Sequence, residues 1–338
     1  DSVTYIGDSS FYGCSGFNSS LHLPDKVEFI GSNAFALCSG LYGPLNIPNS
    51  LKEIGNYAFY ECIGLNESLT IGNSLKTIGS YTFSGINSFS GTLTIGNNVT
   101  KIDSKAFKDF GYLTGDLIIP DSVTYIGDSS FYGCSGFNGS LHLPDSIEYI
   151  LDSTFYNCSG FSGTLTIPNS VTSICNYAFY NCSGFKGSLI IPDSVKNVGK
   201  FSFSFCSGFD GSLKIGNSIT FIKECTFLEC SGFSGELFIG NNVKRIGDEA
   251  FKKASKLTGE LNIPDSVTSI GESVFYDCYG FTKLKISNKL NTISKSAFYN
   301  CYGFNCELII PESITTIDEY AFYNCSSLHR MTIITSET

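Results

Sequence analysis

Leu141-His142-Leu143-Pro144-Asp145-Ser146-Ile147, then Ile150, then Phe155-Tyr156-Asn157-Cys158-Ser159-Gly160-Phe161, is one copy of a unit that fills the chain. Its anchor, Phe155, recurs at Phe11, Phe35, Phe59, Phe83, Phe107, Phe131, Phe179, Phe203, Phe227, Phe251 and Phe275 in steps of 24 residues. Phe298 follows after 23 residues and Phe322 after 24. A fixed period of this length is the signature of a solenoid. One such unit is too small to bury its own apolar face, so stacking on its neighbours makes the core. The expected fold is an α/β-type repeat solenoid dominated by β: an arc with a parallel sheet of about fourteen rungs, short turns and few short helical segments. Residues 1–338 are expected to form one elongated domain.

Within a unit, Leu-x-Ile/Leu alternates at period two, the mark of a strand with one buried face. Leu21 and Leu23, Leu165 and Ile167, and Leu213 and Ile215 are its inward residues. Pro or Gly follows (Pro24, Gly72, Pro168, Gly216), then Asp or Asn (Asp25, Asn73, Asp121, Asn169). Short Asp and Asn side chains bond their own backbone and form turns. A second extended piece comes next, Val3-x-x-Ile6, repeated as Val123-x-x-Ile126 and Val171-x-x-Ile174. Successive rungs should pair in parallel about 4.8 Å apart. Around Phe-Tyr-x-Cys the spacing predicts short turns or single helical turns. The column six residues after the anchor is Phe or Leu in every unit, from Phe17 and Leu41 to Leu328. Such constancy within one chain is a packing demand.

Composition narrows the function. Charged residues are 15% and hydrophobic ones 42% of the chain, so it is not a disordered sequence. A net charge of −10 and a pI near 4.8 argue against nucleic-acid binding, which needs a basic face. No apolar run approaches the ~18 residues of a membrane span, and no N-terminal segment reads as a signal peptide. The chain opens midway through a repeat and closes just past an expected strand, without polar caps. It is expected to be a piece of a longer repeat protein, with any signal, anchor and caps elsewhere.

The composite pattern Leu-x-Ile-Pro-Asp-Ser-Val-x-x-Ile-Gly-x-x-Ala-Phe-x-x-Cys-x-x-Leu resembles the BspA-like (Treponema-type) leucine-rich repeats. It is carried by Ile191-Pro192-Asp193-Ser194-Val195 and by Ala178-Phe179 with Cys182. The likeness covers essentially the whole chain. The departure is one extra residue in most rungs, often Gly, as in Phe137-Asn138-Gly139-Ser140-Leu141. The family's 23-residue form survives at Phe281-Thr282-Lys283-Leu284-Lys285-Ile286. Members of that family are typically surface proteins of anaerobic bacteria and parasitic protists, and several resemble adhesins. The resemblance implies a class and a cell-surface or secreted location, not a ligand.

Fourteen Cys would suggest a disulfide framework. Eleven of them, however, share one column three residues after the anchor: Cys14, Cys38, Cys62, Cys134, Cys158, Cys182, Cys206, Cys230, Cys278, Cys301 and Cys325. In the other rungs that column holds Ile86, Phe110 and Ala254, so it is an apolar slot in which Cys acts as a small hydrophobe. Buried thiols are the expectation; bridges between rungs are the alternative, since stacking could bring neighbouring Cα atoms within bonding range. Cys175, Cys225 and Cys306 lie outside the column and are expected to be the more exposed. No Cys-x-x-Cys or Cys/His cluster suggests a metal.

His22 and His142 occupy the same strand position in a duplicated block, since residues 1–25 and 121–145 differ only at Ser19 versus Gly139. No nucleophile with an orienting acid stands out, so neither enzyme activity nor a cofactor is expected. Asn18, Asn66, Asn98, Asn138, Asn157, Asn181 and Asn324 head Asn-x-Ser/Thr triplets. Such triplets accept glycans in secreted eukaryotic proteins, and a repeat rich in Asn, Ser and Thr also generates them by chance. The Tyr after the anchor (Tyr12, Tyr60, Tyr132, Tyr156, Tyr180, Tyr276, Tyr299, Tyr323) forms a second ladder, read as half-buried packing and as a binding stripe only if the rings point outward.

The outward middle of the strand is the variable column. It reads His22, Asn46, Thr70, Thr94, Ile118, His142, Thr166, Ile190, Lys214, Phe238, Asn262, Lys285, Ile309, Thr332. A neighbouring column adds Glu236, Glu260, Lys283, Glu307 and Arg330. Solenoids use such a sheet face for ligands. Exposed apolar side chains among charges suit an interface anchor. The candidate protein-binding residues are Ile190, Lys214, Glu236, Phe238, Glu260, Lys283, Lys285 and Ile309. The expected function is a non-enzymatic surface adhesion module whose partner is a host matrix or cell-surface protein, or another microbe's surface. The alternative is a structural coat or spacer without a specific ligand.

Overall fold

The structure, a computed structural model, describes residues 2–335. The chain gathers into two compact units, residues 1–163 and 164–338. Each is a parallel β-solenoid, and among the described residues there is no helix.

Most rungs contribute a two-residue strand and a second strand that is often longer. In residues 1–163 the short strands Thr77–Ile78, Lys101–Ile102 and Tyr125–Ile126 pair in register, Ile78 on Ile102 and Ile102 on Ile126. The longer strands Gly43–Ile47, Leu65–Ile71 and Leu93–Thr94 form a second ladder, Leu45 on Leu69 and Leu69 on Leu93. In residues 164–338 the short ladder runs from Ser173–Ile174 through Asn197–Val198, Phe221–Ile222 and Arg245–Ile246 to Ser269–Ile270. There the longer strands Leu189–Ile191, Leu213–Ile215 and Leu237–Phe238 stack residue for residue. Burial alternates as the period-two pattern predicts, with Leu189 and Ile191 inside and Ile190 outside.

The 23-residue repeat is absorbed locally. Gly259 pairs with Phe281, but Glu260 pairs with Lys283, so the register shifts between Gly259 and Glu260. Leu261 on Leu284 and Asn262 on Lys285 then continue in step. A one-residue slip of the whole strand would turn its apolar face outward, so the irregularity stays before the inward Leu. Gly259 has φ +78°, where a side chain would be strained.

The segment around the anchor is neither strand nor helix. Residues two before and two after each anchor adopt left-handed φ, for example Tyr57 (59°) and Glu61 (51°) about Phe59, and Cys225 (55°) and Glu229 (56°) about Phe227. The alternation aims every second N–H at the next rung. Tyr57, Phe59 and Glu61 donate to the carbonyls of Ser80, Thr82 and Ser84, and Cys225, Phe227 and Glu229 to those of Asp248, Ala250 and Lys252. The N–H groups between them close tight turns, as Tyr60 does on Tyr57. Left-handed geometry costs a non-Gly residue roughly 1–2 kcal/mol. A right-handed turn would spare that cost but direct its N–H groups along its own segment, leaving the rung-to-rung bonds of a buried backbone unmade.

The core is a column of stacked rings. Phe35 lies on Phe59 with centroids 5.1 Å apart and planes within 5°, and Phe251 lies on Phe275 at 5.2 Å and 5°. From Phe35 to Phe298 the anchor is buried throughout. Phe11 is 37% exposed and Phe322 half-buried. Each fully buried ring contributes about 1.5–3 kcal/mol over leaving it in water.

Candidate protein-binding face

The candidate residues all lie on the long-strand face of residues 164–338. Strand alternation turns Ile190, Lys214 and Phe238 outward, and parallel register sets them side by side, Ile190 against Lys214 and Lys214 against Phe238. Ile190 is 55% exposed, Phe238 49% and Ile309 48%. Lys214, Glu236, Glu260, Lys283 and Lys285 are exposed as well. Glu260 pairs in register with Lys283, and Asn262 with Lys285.

Four of the eight surround one feature. Lys214, Glu236, Phe238 and Glu260, with Asn217 and Asn241, line a shallow depression of about 400 Å³. Ile190, Lys283, Lys285 and Ile309 do not line it. The two Asn come from the turn column, and their placement is built into the repeat. Asn241 donates its N–H to the Asn217 side chain at 3.0 Å, and Asn217 donates to Asp193 at 2.7 Å. Their regular spacing was the available signal.

The charges of this face carry both signs and stand apart from one another. Elsewhere, Lys and Glu pair between rungs: Lys52 with Glu28 at 2.7 Å, Lys253 with Glu229 at 2.8 Å and Lys295 with Glu319 at 3.1 Å. Among the described residues, Lys214, Glu236, Glu260, Lys283 and Lys285 join no ion pair. Further along, Glu307 is taken by Arg330 at 3.3 Å.

Ile118, on residues 1–163, stands in the same outward column and is 57% exposed. Sequence reasoning placed it in that column without singling it out. Its apolar type at an outward position was the signal.

The cysteine column settles into packing, while Asn66, Asn98 and Asn138 of the triplets are exposed, as are Tyr12 and Tyr323 at the two ends of the Tyr ladder. Cys38, Cys62, Cys134, Cys206, Cys230, Cys278, Cys301 and Cys325 are buried, unbridged thiols, while Cys14 at the first rung is half-buried. They are more than small hydrophobes, because each donates to the anchor carbonyl of the preceding rung, Cys62 to Phe35 at 2.9 Å and Cys278 to Phe251 at 3.0 Å. Burial pushes the thiols of Cys62 and Cys206 up to about 12. Cys225 and Cys306 are half-buried rather than open, and burial raises the Cys225 thiol to about 11. Tyr276, Tyr299 and Tyr323 stack at 4.5 and 4.6 Å, so each middle ring spends its faces on its neighbours. Asn324, one of the triplet residues, donates its side-chain N–H to Asn300 at 2.9 Å, and Asn300 donates to Asp277 at 2.8 Å. Among the described residues no His/Cys/Asp/Glu group could hold a metal, and no helix is long and apolar enough to cross a membrane.

Parallel ladders of Leu-x-Ile strands, closed by a turn segment around a stacked Phe, define a leucine-rich-repeat solenoid. The sequence model of the BspA-type leucine-rich repeat region matches residues 1–114, 113–234, 159–259 and 244–338, and the chain belongs to that family. A solved leucine-rich repeat protein from Bacteroides ovatus is similar in fold, with 23% identity, a TM-score of 0.52, and 98% of this chain and 88% of that one covered. A leucine-rich cell surface protein from Faecalibacterium prausnitzii shares 24% identity at a TM-score of 0.48, over 92% of this chain and 84% of that one. No curated protein matches the sequence.

Proposed function

We propose that the chain is a non-enzymatic protein-binding module that works in adhesion at a cell surface, with its contact centre at Phe238 and the charges around it. One observation carries the reading. Lys214, Glu236, Glu260, Lys283 and Lys285, exposed charges of both signs, stand on one strand face with the exposed apolar side chains Ile190, Phe238 and Ile309. An aromatic with charges of both signs is the mix that concentrates interface energy. Family membership supports the surface location and the class of partner: a host matrix or cell-surface protein, or another microbe's surface.

The test is capture by the immobilised chain from extracellular-matrix and cell-surface extracts, followed by affinity measurement with the captured partner. Phe238→Ala should leave melting unchanged and weaken binding by more than ~1 kcal/mol. Equal capture by Phe238→Ala and a Lys214/Lys283/Lys285→Ala variant would move the contact off this face, and capture of nothing above background would turn the reading to a spacer without a specific ligand.

A further inference from the structure

The two units differ in charge. Residues 1–163 carry fifteen acidic and six basic side chains, and residues 164–338 carry sixteen and fifteen. None of the six lysines of residues 1–163 lies in an outward column of the long strands. Lys52 and Lys101 belong to the short-strand side or its approach, and Lys105 and Lys108 flank the anchor Phe107. The long-strand face there is therefore acidic without compensation. Asp116 precedes Ile118 by two residues on the same side of the chain, Asp121 follows in the turn, and Asp145 occupies the Asp121 position one rung on. All three are exposed, and none joins an ion pair among the described residues.

Ile118 gives this acidic face an apolar centre. It is 57% exposed and pairs in register with His142, while Leu117 beneath pairs with Leu141. A depression of about 530 Å³ opens beside it, lined by Ile118, Pro120, Leu143, Asp121, His142 and Asn97. Ile118 stands in the same column as Phe238, five 24-residue periods earlier. The two sites thus share a scaffold and differ in charge.

We propose that this face is a second docking site, distinct from the one around Phe238, and that it takes a basic segment of a protein partner. An aliphatic side chain of that segment fills the depression against Ile118, and Lys or Arg residues on either side reach Asp116 and Asp121. Charge complementarity selects this occupant: an acidic segment would meet only carboxylates, and an uncharged one would leave them desolvated without a partner. Outward residues of a strand recur every second position, so a segment alternating basic and aliphatic residues matches the spacing of Asp116 and Ile118.

The probe is a fluorescent, end-blocked peptide of alternating Lys and Leu, titrated with the full chain by anisotropy. A Glu/Leu peptide of the same length is the comparison. Ile118→Ser and a double Asp116→Asn/Asp121→Asn variant should each weaken Lys/Leu binding by about five-fold or more, the size of a contact worth over 1 kcal/mol. Asn at position 116 keeps the side-chain oxygen that accepts the Ser140 N–H at 2.7 Å, so the strand is not disturbed. Phe238→Ala should leave this binding unchanged. Unaltered affinity in either Ile118→Ser or the Asp double variant overturns the proposal, because the first outcome means general attraction to an acidic chain and the second means no charge recognition. Equal binding of the Glu/Leu peptide also overturns it. The site around Phe238 is judged by a different variant and partner, so either proposal can fail alone.

Discussion

The thiol of Cys206 donates to the backbone carbonyl oxygen of Phe179, 27 residues back in the chain, at 3.0 Å. One side chain thereby fills an apolar slot and ties its rung to the anchor of the rung before. The thiol must stay protonated to donate, and burial keeps it so, pushing it up to about 12. In the unfolded chain the same group ionises at about 8.5. The difference has consequences for stability.

Alkaline pH should weaken the fold through this column. Cys62 and Cys206 both have thiols raised to about 12 in the folded chain. Their stabilising effect is fully present below about pH 8.5 and is lost as pH rises from there towards 12, at about 1.4 kcal/mol per pH unit for each thiol. Urea unfolding at a series of pH values from 8 upward reads the slope. A Cys62→Ala/Cys206→Ala variant should show a shallower decline, since Ala254 already shows that the slot accepts Ala. Identical slopes in the two proteins would mean these thiols are solvated.

Phe179→Ala should destabilise the chain by about 3–5 kcal/mol, as for other buried aromatic truncations. Phe179 has no exposed surface, stacks on Phe203 at 5.3 Å and meets Phe185 edge-on at 6.4 Å. Each rung draws its stability from its neighbours, so a hole in the ring column weakens the contacts on both sides. Thermal melting followed by circular dichroism is the measurement. An unchanged midpoint would remove the anchor column from the core.

Gly232→Ala should cost on the order of 1–3 kcal/mol, as overpacking does. A Cβ there would run into the carbonyl oxygens of Ser207 and Phe209 on the adjacent rung, and backbone cannot step aside cheaply. Gly111→Ala is the comparison, because nothing lies within 4 Å of the Cβ it would add. If the two variants melt together, the rungs are not packed backbone to backbone at Gly232.

Much of the face around Phe238 was legible before the structure. Ile190, Phe238 and Ile309 could be placed outward because strand alternation and the repeat register agree at those positions. Which charges would find partners could not be read. Glu260 and Lys283 are register neighbours of opposite sign and make no ion pair, whereas Lys295 and Glu319, also one rung apart, do. Side-chain reach and competing partners decide that, and neither has a signature in the order of residues.

The sequence by itself determined the solenoid, its period, its core columns and the side of each strand that meets water. A rung can stack on the next only if both bring the same apolar shape to the same place, so packing is written into the chain as repetition. Only the tertiary structure decided the left-handed residues such as Tyr57 and Glu61, the bond from Cys206 to Phe179, and the opening beside Ile118. These depend on what lies one rung away. The backbone takes strained angles at Tyr57 and Glu61 because carbonyls 23 residues further on, in Ser80 and Ser84, wait for their N–H groups. That condition exists only once the rungs are stacked.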